Sequence, residues 1–270
     1  MRILLETPRL VLRRFDANDA DHLARLDSDP AVMRYLTGEP TPRAEIEDEV
    51  LPRILRDYPR SPLGRFAVLE RSTTPRSDIA DSGAMDGDAR PAHGSPNSAT
   101  GGGAVASSSG AVSPDSNGSV GAMAHSAGTG PTNADGGVGV VATSVDADRV
   151  GAFVGWVALQ APAEGGCREV ELGYRFVASV WGRGYATEAG RALLYKGFSE
   201  FGVQRVWAQT MAVNLGSRRV LEKVGLRYVR TFHLEFEDPL PGTEQGEVEY
   251  EVGRGEWLER AENRLQGLEA

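Results

Sequence analysis

Ser179-Val180-Trp181-Gly182-Arg183-Gly184-Tyr185-Ala186-Thr187-Glu188-Ala189 decides how the rest of the chain is read. It follows a stretch of strand character, Glu169 to Val177, and opens a helix expected from about Ala186 to Phe201. Two glycines in three residues let the main chain turn tightly and approach a ligand closely. The unpaired N–H groups of a helix's first turn point into such a turn, where the helix dipole favours an anion. The motif therefore suits a phosphate or pyrophosphate. A G-x-G alone is weak evidence, because strand-to-helix turns use glycine anyway. It lacks the third glycine of a dinucleotide fingerprint and the G-K-[ST] ending of a P-loop. That disfavours NAD and nucleoside triphosphates but leaves room for another pyrophosphate.

The elements on either side of this motif set the fold class. Arg9 to Arg13 alternates as a strand. Asn18 with Asp21 is a capping signal for a helix to about Leu26, and Thr41-Pro42 starts a second helix to about Tyr58. Arg65–Leu69 and Ala152–Leu159 are strands, and they become the arms of one hairpin. Beyond the motif, Gln204–Met211 is a strand, Asn214–Val224 a helix and Gly225-Leu226 its left-handed cap. Tyr228–Phe236 and Glu247–Val252 are closing strands, and a final helix runs from Glu256 to Leu268. The order β-α-α-β-β-β-α-β-α-β-β-α reads as α+β, a sheet with helices on both faces.

Between the arms of that hairpin the composition changes. Residues 77–149 hold 40 Gly, Ala or Ser among 73 residues, and no aromatic occurs between Phe66 and Phe153. Such a stretch buries too little apolar surface to offset chain entropy, so a disordered insert is expected over 72–149. His93 and His125 lie in it and read as solvated loop residues. The folded part of the chain is then expected as one domain in two pieces, 1–71 and 150–258, with 259–270 as a helical tail. Six of the chain's nine net negative charges belong to residues 77–149, so overall acidity says little about a site. It does argue against a nucleic-acid binder, which needs a basic face. One cysteine, Cys167, excludes a disulfide framework and a cysteine-based zinc site. No run of about 18 apolar residues marks a membrane span. The N-terminus has no apolar signal core, and a cytoplasmic protein is expected. No metal is expected.

Two further constellations bear on chemistry. In Asn214-Leu215-Gly216-Ser217, Asn214 stands at the N-cap and Ser217 three residues on, along the same helix face. Plain capping explains Asn214 fully; a binding role is the alternative. In Glu169-Val170-Glu171-Leu172-Gly173-Tyr174, strand alternation puts Glu169, Glu171 and Gly173 on one face. A carboxylate there could act as a general base beside a cleft, and a solvated strand face is the simpler account.

Taken together, Leu10-Val11-Leu12-Arg13, Asp29-Pro30 with Tyr35-Leu36, the 181–189 motif, Asn214 to Ser217 with Gly225-Leu226, and Tyr250 to Trp257 resemble the GNAT acyl-CoA N-acyltransferases. The resemblance is nearest to the RimJ/RimL-like branch, which includes ribosomal-protein N-terminal acetyltransferases. It covers residues 7–71 and 150–258. It implies a GNAT-like mixed, mostly antiparallel twisted sheet, with acetyl-CoA as cosubstrate. It also implies that Trp181, Gly182, Arg183, Gly184, Tyr185, Ala186 and Thr187 surround the pyrophosphate. Phe176 and Val177 would pair with the pantetheine arm, and Asn214 would contact that arm. An amine acceptor would attack the thioester directly, without an acyl-enzyme. Glu171 is our candidate base, and Ser217 matches a position proposed to protonate the leaving thiolate. The acceptor is a peptide or protein N-terminus or a small amine, and acidic residues at Glu235, Glu237, Asp238, Glu244, Glu247 and Glu249 would suit its cation. The protein is expected as a monomer or homodimer. Two other readings stay open: an acetyl-CoA sensor without turnover, and an interaction protein whose insert is the working part.

Overall fold

Short runs with alternating apolar positions build the sheet at the centre of this molecule. The computed structural model describes residues 2–59, 61–72, 150–162 and 166–266. Within them lie eight strands: β1 (Ile3–Glu6), β2 (Leu10–Arg14), β3 (Gly64–Arg71), β4 (Val150–Gln160), β5 (Glu169–Phe176), β6 (Arg205–Met211), β7 (Arg227–Phe232) and β8 (Glu247–Gly253). They form one sheet in the order β1-β2-β3-β4-β5-β6-β8-β7. Every pairing is antiparallel except β5 with β6. The expected mixed, mostly antiparallel α+β sheet is therefore what forms. β3 and β4 are the arms of the expected hairpin, with Arg71 registered on Val150. The stretch 73–149, where the insert is expected, lies outside the described residues, as do His93 and His125.

The helices are α1 (Ala20–Asp27), α2 (Pro30–Met33), α3 (Arg43–Glu45), α4 (Leu51–Asp57), α5 (Tyr185–Ser199), α6 (Leu215–Val224) and α7 (Arg254–Gln266). A π-helical turn, Ile46–Val50, joins α3 to α4. Core side chains from both faces of the central strands are fully buried, among them Leu12, Phe66, Trp156, Leu172, Tyr174 and Tyr250. Trp257 of α7 locks onto the end of α6, its indole N–H donating to the Val224 carbonyl at 2.9 Å.

Several local expectations need correction. β1 goes unread in the sequence because four residues give too little periodicity. The first capping box belongs to Asp16 and Asp19, not Asn18 and Asp21. Asp19 is recruited because Arg13 makes a buried ion pair with it at 2.6 Å. Thr41 caps nothing: α3 starts at Arg43, after an extended Pro42, with no side-chain cap. The strand expected over 228–236 ends at Phe232, and residues 233–246 form a loop with a 3-10 turn at Thr243–Gln245.

One glycine shapes the sheet centre. Gly155 sits at φ +150, and a Cβ there would lie 2.2 Å from the Arg175 carbonyl and 2.7 Å from Phe176 Cα. The β3–β4 register shifts beside it. Such a bulge increases local twist and bends the strand it belongs to.

Candidate functional site

β5 and β6 run side by side for only three registered pairs: Glu169 with Arg205, Val170 with Val206 and Glu171 with Trp207. Beyond that point β5 continues to Phe176 and β6 to Met211 without pairing. Two parallel strands thus part in the middle of the sheet and leave main-chain groups without partners. The Val177 N–H is taken by the Val154 carbonyl at 3.0 Å. By strand alternation, the main-chain groups of Tyr174 and Phe176 face the gap instead. The open edge thus belongs to Phe176, while the Val177 N–H is spent within the sheet.

The glycine turn closes the top of the gap. Trp181 donates its indole N–H to the Phe176 carbonyl at 2.9 Å, which pins the turn to the strand end. Gly182 and Gly184 have φ of +78 and +81, the left-handed region where glycine carries no penalty. The Arg183 N–H is used by Val180 inside the turn. The first bond of α5 runs from the Glu188 N–H to Gly184, and no side chain caps the helix. The N–H groups of Tyr185, Ala186 and Thr187 are therefore left without acceptors among the described residues.

Arg9, distant in sequence, completes this end. Its guanidinium donates to the Arg183 carbonyl at 2.9 Å and to Glu188 Oε2 at 2.7 Å, and it packs over the Tyr185 ring at 4.8 Å. Glu188 also accepts from the Thr7 hydroxyl at 2.7 Å. Partial burial opposes its ionisation, but the Thr7 and Arg9 hydrogen bonds outweigh that and hold its carboxyl below the usual range. A depression of about 600 Å³ opens beside the turn, lined in part by Arg9, Gly184, Thr187, Arg191 and Lys223. Nothing local in the sequence ties Arg9 to a turn 174 residues away.

At the fork, on one sheet face, stands Glu171. Its Oε1 is buried without a hydrogen-bond partner, and so is Oε1 of Gln160, registered directly opposite. Burial pushes the Glu171 carboxyl up to about 8. A proton on Glu171 turns one of these two acceptors into a donor, which is why the neutral form suits the site. Glu247, further along the same face, is pushed up to about 7 by burial.

On the opposite face, Tyr174 and α6 bridge the gap. The Tyr174 hydroxyl meets the Ser217 hydroxyl at 2.9 Å and donates to the Ser217 carbonyl at 3.0 Å. Ser217 is fully buried, and Asn214 accepts its N–H at 3.1 Å. Asn214 thus does act as a helix cap, itself buried to 1 % exposure. Burial drives the Tyr174 hydroxyl above the ordinary phenol range, so it keeps its proton. The sequence gives Tyr174, the last residue of the 169–174 stretch, no role of its own; only the fold brings it to Ser217.

The acidic hairpin divides. Glu235, Glu237, Asp238 and Glu244 are exposed, and Glu249 pairs with Arg230 at 2.8 Å. Cys167 is half-buried, with Ser61 Oγ at 3.8 Å. Among the described residues, no group of His, Cys, Asp and Glu could hold a metal ion, and no helix is long and apolar enough to cross a membrane.

Fold and site define a class: a protein with a mixed sheet, two strands parted at its centre and a glycine turn with free main-chain N–H groups at the head of the gap. The chain belongs to the GNAT acetyltransferase domain family, whose pattern matches residues 9–97 and 115–227. It is 39 % identical over 114 residues to the FsC-acetyl coenzyme A-N(2)-transacetylase of Aspergillus fumigatus, covering 40 % of this chain and 48 % of that protein. The chain spans about half the length, or less, of the curated relatives it matches. Among solved structures, the spermidine N-acetyltransferase of Vibrio cholerae in complex with CoA and spermine superposes with a TM-score of 0.54 at 13 % identity, over 93 % of this chain and 99 % of that one. RimL, the ribosomal L7/L12 alpha-N-protein acetyltransferase, superposes with a TM-score of 0.54 at 12 % identity, over 93 % and 98 %. These two likenesses speak for the fold.

Proposed function

We propose that the protein transfers an acetyl group from acetyl-CoA to an amine, which attacks the thioester directly. The observation that carries this reading is the gap between β5 and β6, closed at one end by a turn that leaves the N–H groups of Tyr185, Ala186 and Thr187 without acceptors among the described residues. An extended thioester with a phosphate tail suits both features. The free N–H groups of Tyr185, Ala186 and Thr187, with the Arg9 guanidinium, would hold the pyrophosphate. Gly182 and Gly184 keep side-chain bulk away from it, and Trp181 holds the turn in place. The Phe176 edge would align the pantetheine amides, and its N–H would polarise the thioester carbonyl. Asn214 shapes the start of α6 beside this arm.

Glu171 then takes the proton that the ammonium must lose before its nitrogen lone pair can attack. The new C–N bond forms as the C–S bond breaks, and the departing sulfur takes a proton. The Tyr174–Ser217 pair is placed to supply it or to orient its donor, with Ser217 bearing the nearer role by family position. A thiolate leaves readily, so this help is small. The acceptor reading at the level of the RimJ/RimL-like branch rests on the 181–189 motif with its Trp181.

Calorimetric titration with acetyl-CoA, beside a Gly184→Glu variant, tests the core of this. Wild type should bind and the variant should not, because a carboxylate would stand against the phosphates. Thiol release with an amine panel follows. Binding without release for any amine would support a sensor; absence of binding by folded wild type would overturn the assignment.

A further inference from the structure

Arg65, half-buried on β3, carries an unmatched charge at the edge of the interior. Its guanidinium stacks 4.2 Å over the Trp156 ring, and its Nε is buried with no hydrogen-bond partner. It forms no ion pair among the described residues, whereas its neighbour Arg175, 5.5 Å from the same ring, is neutralised by Asp27 at 2.5 Å. The Trp156 indole N–H is buried and also lacks an acceptor. Two donors from one stacked pair thus want an anion that the described residues do not supply. A half-buried guanidinium without an anion is destabilising, and one aromatic face compensates it only in part. Burial and Arg175 hold its pKa down to about 10, consistent with a cation short of counter-charge.

The position of Arg65 connects it to the fork. Arg65 registers on Ala158, Ala158 on Gly173, and Gly173 lies two residues along the same strand face from Glu171. Between them Ala158, itself fully buried, contributes no more than a Cβ and Gly173 no side chain. Trp156 with Arg175 flanks it on one side and Gln160 with Glu171 on the other. From strand spacing and rise, the Arg65 and Glu171 Cα atoms are about 12 Å apart, and their side chains shorten the span. One end of the strip therefore has a proton acceptor for an amine and the other an unpaired cation.

We propose that Arg65 is a specificity-determining residue that binds a carboxylate on the acceptor, so that the preferred substrate is an amine that also bears a carboxylate several bonds away. The proposal rests on the transferase reading above. A polyamine would bring a second cation towards Arg65 and Arg175, with only Asp27 to offset them.

The test uses the full chain, saturating acetyl-CoA and thiol release with matched acceptors: L-lysine against cadaverine, L-ornithine against putrescine, and glycylglycine against its amide. The carboxylate member of each pair should have a kcat/KM at least tenfold higher. Arg65→Gln should raise KM for the carboxylates about tenfold or more, leave the carboxylate-free amines within twofold, and so erase the preference. Arg65→Lys should keep part of it. Equal rates within pairs for wild type, or an equal loss for both members in Arg65→Gln, would overturn the proposal. The wild-type comparison decides the matter even if a variant misfolds. Turnover of only the carboxylate-free amines would remove Arg65 and keep the transferase. No turnover of any amine, with acetyl-CoA bound in the calorimeter, would remove both.

Discussion

Glu171→Gln separates a catalytic carboxylate from a merely buried one. The change keeps the shape and removes the ability to take a proton. With a carboxyl pKa of about 8, roughly a tenth of wild-type molecules carry the ionised base at pH 7, and nearly all do at pH 9. A positioned general base contributes ~10²–10⁴-fold. The variant should therefore lose about 100-fold or more in kcat/KM at pH 9 but only about tenfold at pH 7. The assay is thiol release from pH 6 to 9.5, plotted as the ratio of wild type to variant, which cancels titration of the acceptor amine. The ratio should rise about tenfold per unit to pH 8 and then level off.

Stability supplies an independent readout. A carboxyl whose folded pKa lies above its unfolded value favours the folded state at low pH. That contribution is lost as pH rises from about 4.5 to 8. The loss is at most about 3 kcal/mol by pH 7. Gln has no such titration, and its amide can donate towards the unpartnered Gln160 Oε1. Glu171→Gln should thus be the more stable protein at pH 8 while being the poorer enzyme. A ratio flat with pH, or an activity loss below about threefold at pH 9, would refute the reasoning.

Four further outcomes follow from the same geometry. Arg9→Ala should weaken acetyl-CoA binding about fivefold in calorimetry, an effect that shrinks in high salt because the side chain is half exposed. Gly155→Ala forces a Cβ into the Arg175 carbonyl and should cost about 2–4 kcal/mol, read as a lower midpoint in urea. Ser217→Ala should lower kcat less than tenfold with KM for acetyl-CoA nearly unchanged, because the leaving thiolate needs little help. Tyr174→Phe leaves the Ser217 hydroxyl buried without its partner and should destabilise the fold by ~1–2 kcal/mol in thermal melts.

The parts of the site legible in the sequence are local ones. Gly182-Arg183-Gly184 between a strand and a helix announces its own geometry, because a φ near +80 excludes most side chains. Asn214 announces a cap three residues before Ser217 for the same reason: the bond closes within one turn. The eye misreads caps when a distant partner intervenes, as Arg13 does in drawing Asp19 into the first capping box. It misreads Thr41-Pro42 because an extended Pro42 delays the helix by one residue.

Periodicity and turn chemistry by themselves determined the α+β class, most of the element order and the glycine turn between a strand and a helix, since each depends on residues within a few positions of one another. Only the tertiary structure decided that β5 and β6 part after Glu171, that Arg9 lies on the turn, that Tyr174 meets Ser217 and that Arg65 is left without an anion among the described residues. Those facts depend on which strands become neighbours and on how burial changes the energy of a charge, and neither quantity is a property of any short stretch of chain.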